Sequence, residues 1–98
     1  MIKVIVGYRV KKGADVSGLL LKLRMDAMWY PGFRGAENLR NSKDPAIIIV
    51  IYTWESVENW IAWEESKVRA KLCKDIDSLA QDKTRTEIYD LLPTTRWV

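Results

Sequence analysis

From Ala46 to Trp54 the chain reads AIIIVIYTW, apolar at nearly every position. Its even positions (Ala46, Ile48, Val50, Tyr52, Trp54) and its odd ones (Ile47, Ile49, Ile51) both seek to leave water, so this strand has two faces to bury. The segment Ile2 to Val10 alternates instead. Ile2, Val4, Val6, Tyr8 and Val10 share one face, and Lys3, Ile5, Gly7 and Arg9 the other, the period-two pattern of a strand. Lys11-Lys12-Gly13 turns the chain into a helix that starts near Asp15 or Ser17, either of which is a competent N-cap. The helix carries a stripe of Val16, Leu20, Leu23 and Ala27, widened by Leu19. Pro31-Gly32 ends it. Phe33 to Arg40 is a less apolar strand with Arg34, Asn38 and Arg40 on one side, which suits a sheet edge. After a turn at Asn41 to Pro45 and the strand described first, Ser56 caps a further helical stretch. The stripe expected there is Val57, Ile61, Val68 and Leu72, continuing to Ile76 and Leu79, with a break near Ser66. Thr84 to Leu92 has the β propensity to close the sheet, and Pro93 to Val98 is a tail.

The order β-α-β-β-α-β, with right-handed crossovers, predicts a ferredoxin-like α+β sandwich: one antiparallel sheet with helices on a single face. The first and third strands then lie in the centre. The face without helices still carries isoleucines from both, a large apolar patch if left wet. Covering about 600 Å² of it is worth roughly 15 kcal/mol before association costs. A homodimer packed sheet to sheet is therefore expected.

Composition narrows the class. Ninety-eight residues, 48% hydrophobic and 30% charged, fit a single domain spanning 1–98 with ordinary globular usage. The net charge of +3 and a pI near 9.1 invite a nucleic-acid reading. The bases are dispersed among acids, however, and no glycine-aromatic RNA-binding signature is present, so nucleic acid is not an expected partner. No apolar run is long enough to span a bilayer and the start shows no leader pattern, so no membrane partner is expected. A lone cysteine, Cys73, fits a reducing compartment, and the expected location is the cytoplasm.

Several motifs together resemble the antibiotic biosynthesis monooxygenase (ABM) domain family. They are Pro31-Gly32-Phe33-x-Gly35-Ala36-Glu37, then Tyr52-x-Trp54-Glu55-Ser56, then Trp60-x-x-Trp63, and finally Glu87-Ile88-Tyr89-Asp90-Leu91-Leu92. The resemblance implies a dimeric α+β barrel in which each protomer keeps a cavity between sheet and helices. It also implies one of several chemistries: oxidation of polycyclic phenols by O₂ without metal or flavin, haem degradation, or processing of a small signalling sugar derivative. The haem-degrading branch uses an Asn on the first strand, a Trp after the third and a His beyond it. Here only the Trp has a counterpart, Trp63; the Asn position falls at Gly7 and the His near Cys73. The resemblance therefore does not extend to haem turnover.

The chain contains no histidine, which removes the usual general acid-base and the commonest metal ligand. Cys73 on an apolar helix face reads as a small core residue. Trp63 is the most informative single position. At 100° per residue it lies about 160° from Ile61, away from the expected stripe, so the following helix, the tail, a partner or a ligand must cover it. Trp60 reads as core. Tyr8 and Tyr52 share sheet faces with apolar neighbours and are suited to orienting a phenolic molecule. Asn38 and Arg34, with Arg40, form a polar row able to polarise an oxygen. Gly7 inside a strand signals a bulge or a close approach. The function expected is cofactor-independent monooxygenation of a small aromatic or quinol substrate in an aromatic-lined pocket. Candidate substrate-binding residues are Trp63, Tyr8, Asn38, Arg34 and Tyr52; no metal or other cofactor is expected, and no catalytic residue is singled out. The alternative is a non-catalytic dimeric module that binds a small apolar or aromatic molecule.

Overall fold

The computed structural model describes residues 1–94. The expected tail therefore lies outside the described residues from position 95 onward. Seven elements follow one another: β1 (Ile2–Arg9), α1 (Ser17–Ala27), β2 (Phe33–Arg40), β3 (Ile47–Trp54), α2 (Val57–Glu64), α3 (Lys67–Leu79) and β4 (Arg85–Asp90). The four strands form one antiparallel sheet in the order β2-β3-β1-β4. This is the expected α+β ferredoxin-like arrangement, with β1 and β3 central and β2 and β4 at the edges. The expected second helical region is indeed two helices, because Ser66 restarts the chain. Its hydroxyl accepts from the Arg69 N–H as an N-cap, just as Ser56 accepts from Asn59.

Register decides which residues meet the helices. Ile2, Val4, Val6 and Tyr8 pair across to Trp54, Tyr52, Val50 and Ile48, and all eight are buried. They form the core with Val16, Leu20, Leu23 and Ala27 of the α1 side, Trp60 and Trp63 of α2, and Leu72 and Ile76 of α3. The opposite face carries Ile5, Ile47, Ile49 and Ile51, each only partly covered, with Lys3, Arg9, Glu37, Glu87 and Arg85 around them.

At the start of α1 the side chain of Val16 occupies the capping position and cannot accept a hydrogen bond. Asp15 instead accepts from both the Ser17 N–H and its hydroxyl, at 2.9 and 2.6 Å. Gly32 takes φ +85°, where other residues are strained, and a Cβ there would collide with the Asn59 side chain. That close approach locks the entry of β2 against the first turn of α2.

Two expectations need correction. Of the expected stripe, Val57 packs against the core and Leu72 and Ile76 are buried, but Ile61 on α2 is 38% and Val68 on α3 45% exposed, while Trp60 and Trp63 have no exposure at all. Two indoles bury far more apolar area than aliphatic side chains, so they take the inward side. The cap at Ser66 also resets the helical phase before Val68. The polar row of β2 is broken as well, because an irregularity between Phe33 and Gly35 leaves Arg34 outside the pairing. At Gly7, of the two expected alternatives, the structure shows the close approach and not the bulge: β1 runs through it in register and the Ile49 Cδ1 lies 3.4 Å from where a Cβ would stand.

Candidate functional site

The candidate residues do not converge on one place. Arg34 is ion-paired with Glu55 at the far end of β2. Asn38 and Arg40 face a groove of about 270 Å³ beside Val10, Val16, Leu20 and Ile48, in which the carboxyl of Asp15 is held low, first by its hydrogen bonds from Ser17 and then by Arg40. That groove has no aromatic wall. Trp63 is sealed inside the protein, with the Tyr30 ring edge-on at 4.9 Å. Its cover is therefore the turn after α1, one that the sequence reading had not named.

Tyr8 and Tyr52 do share a neighbourhood. Both project from the helix-facing side of the sheet, close enough for the charge of one to bear on the other. Burial pushes Tyr52 up to about 12 and Tyr8 higher still, so both phenols stay neutral and able to donate. Tyr8 lines a cleft of about 210 Å³ between β1, β4 and α3. Glu64, Arg69, Cys73, Asp77, Thr84 and Thr86 complete its wall.

This cleft contains the charge that sequence reasoning missed. Arg69 lies with its guanidinium 5.1 Å from the centre of the Trp60 ring, a cation–π contact that holds the long side chain. From there it acts on Tyr8, Tyr52 and Cys73, favouring the charged form of each against burial. The Cys73 thiol is nonetheless pushed up, because burial outweighs Arg69. Asp77 accepts a 3.4 Å hydrogen bond from the Thr84 hydroxyl at the mouth of the cleft. Arg69, Cys73 and Asp77 recur every fourth residue on α3, so their common face was readable from spacing alone. Chemically, the cleft offers a fixed cation, a neutral phenol donor and two carboxylates. Among the described residues no three His, Cys, Asp or Glu side chains converge as metal ligands. The indole N–H groups of Trp54, Trp60 and Trp63 are buried without an acceptor.

Known proteins place this architecture. No curated protein matches the chain. Solved structures do, at low identity, which carries the fold only. An antibiotic biosynthesis monooxygenase superposes with TM-score 0.85 at 20% identity, covering 95% of this chain and all of that one. SnoaB of Streptomyces nogalater, a cofactor-independent oxygenase, gives 0.84 at 13%, covering 95% and 94%. A conserved protein of Methanosarcina mazei Go1 gives 0.82 at 17%, covering 90% and 89%. The family model for antibiotic biosynthesis monooxygenases matches residues 1–74, three quarters of the length, and the chain belongs to that family.

Proposed function

We propose that the chain is a homodimeric, cofactor-independent monooxygenase of small hydroquinones or phenols, with its site in the cleft between Tyr8 and α3. The observation that carries this reading is Arg69, braced on Trp60 beside two neutral buried phenols. A hydroquinone reacts with O₂ by giving up a proton and then an electron from the anion. Arg69 is placed to stabilise that anion, and the Tyr8 hydroxyl to donate to its oxygen. Asp77 or Glu64 is the acceptor for the proton, in a chain with no histidine. Hydroquinone and O₂ together contain all the atoms and electrons required: one oxygen joins the ring, the other leaves as water, and the product is a hydroxyquinone.

Tyr52 and Trp63 belong to the buried core and are not part of the lining of the cleft. Asn38 and Arg34 stand away from it and take no part. The volume of about 210 Å³ lies below the ~300–1,000 Å³ of sites for drug-sized ligands, so single-ring substrates are favoured over polycyclic ones. That small volume also favours the second reading, a module that binds such a molecule without turning it over. Oxygen uptake with methylhydroquinone separates the two. Consumption above the buffer rate that falls at least tenfold in Arg69→Met supports the enzyme. Saturable binding without uptake leaves the binding module.

A further inference from the structure

The helix layer has a second apolar surface, facing away from the core. On α1 and the turn after it, Leu21 is 54%, Met25 54%, Met28 62% and Trp29 87% exposed. Met28 keeps helical dihedrals and the Trp29 N–H still bonds back to Asp26, so the spacing 21, 25, 28, 29 puts all four on one ridge. The helix is thus apolar on two sides, since Leu20, Leu23 and Ala27 fill the core. A helix of that kind is ordinarily covered on both. Gly18 lies in the same ridge and leaves it unobstructed at the N-terminal end.

Cations frame the ridge. Lys22 and Arg24 flank it on either side. α3 packs beside α1 and turns Lys67, Lys71 and Lys74, at the i, i+4, i+7 positions of one exposed face, to solvent. None of these five cations has an ion-pair partner among the described residues. We propose that this surface docks peripherally on an anionic lipid bilayer, with Leu21, Met25, Met28 and Trp29 entering the interface and the five cations meeting the headgroups.

Three features favour lipid over protein. Each of the four apolar side chains is more than half exposed, so they project from the helix towards solvent. Trp with Met and Leu, bracketed by long-stemmed cations that reach upward as the ridge sinks, is the composition of an interfacial helix. A cluster of four to eight Lys or Arg is the usual signature for acidic lipid. A second copy of the same face is disfavoured, because it would set Lys22 and Arg24 against their own kind. No helix among the described residues is long and apolar enough to cross a membrane. The expectation of no membrane partner rested on that spanning length, whereas peripheral docking needs none. This inference does not depend on the proposed activity.

The test is flotation of the whole chain with vesicles of phosphatidylcholine alone and of phosphatidylcholine with phosphatidylglycerol, reading bound fraction and tryptophan fluorescence. The glycerol vesicles should bind at least about tenfold more, with a blue shift that salt reverses. The double variant Trp29→Ser, Met25→Ser should lose the shift and most of the binding. Lys22→Gln with Lys71→Gln should weaken binding about tenfold and keep the melting temperature, since both side chains are at the surface. Equal binding to both vesicles, or no binding to either, overturns the proposal. So does an unchanged bound fraction in the Trp29, Met25 variant. A mass that rises with concentration in light scattering, without vesicle binding and abolished by Trp29→Ser, would overturn it too and assign the ridge to a second copy.

Discussion

The two faces of one sheet make the sharpest contrast in this molecule. They are woven from the same strands, with residues alternating one by one between them. The helix-facing side holds Tyr8, Tyr52 and Trp54 among its aliphatics, and its β1 and β3 residues are buried. The other side holds Ile5, Ile47, Ile49 and Ile51 with charges around the rim, and stays partly exposed. The buried side thus carries the Tyr8 and Tyr52 phenols, where low dielectric strengthens each hydrogen bond. The open side presents β-branched side chains on a sheet, with a hollow of about 310 Å³ beside Gly7, Ile47 and Ile49. On this account one face performs chemistry and the other assembles the protein.

The assembly half of the contrast is the easiest to break. Ile49→Lys should abolish the dimer outright, halving the mass in light scattering, because a charge at the centre of an apolar interface has no partner. A wild-type protein that is already monomeric at micromolar concentration would remove the division of labour. The buried half is tested by Trp60→Ala and Trp63→Ala, each expected to cost about 3–5 kcal/mol in chemical denaturation, as for other buried tryptophans. A loss under about 1 kcal/mol at Trp63 would show that the indole is held by something other than its own core. Arg69→Met separates function from packing. Removing the cation–π contact should cost only about 0.5–1 kcal/mol, while oxygen uptake with methylhydroquinone drops at least tenfold.

The smallest effect is one of pH. An unfolded tyrosine loses its proton near pH 10, whereas folded Tyr52 holds it to about 12 and Tyr8 beyond. The folded state therefore binds more protons in that window, and stability falls as pH rises through it. The tyrosine contribution to stability should be level below pH 10 and decline from 10 towards 12, by up to about 1.4 kcal/mol per pH unit for each tyrosine. Tyr52→Phe should flatten that slope; an unchanged slope would mean that the phenol is wetter than its burial implies.

Legibility followed the same division. Strand patterns exposed the open face at once, since AIIIVIYTW cannot be satisfied by helices on one side only. The cap at Ser56 and the break near Ser66 were likewise local and readable. The facing of α2 was not, because a short helix between two caps offers too few turns for an aliphatic stripe to outweigh two tryptophans. The row of Arg34, Asn38 and Arg40 failed for a related reason. An extra residue ahead of Gly35 moves one side chain out of register, and the glycine was the only hint of it. Around the cleft, alternation puts Tyr8 and Tyr52 on one face of the sheet, but Arg69 reads as one more solvated helix charge. Its role depends on Trp60 reaching it from another helix, and sequence spacing within α3 supplies only half of that geometry.

The most direct test of the central claim is amide chemical-shift mapping of methylhydroquinone added without oxygen. The account predicts shifts concentrated at Tyr8, Thr84, Thr86 and along Arg69, Cys73 and Asp77 on α3, with Gly7, Ile49 and Ile51 unmoved. Shifts centred on Ile49 and its neighbours, or on Asn38 and Arg40, would contradict it and move the binding site off the Tyr8–α3 cleft.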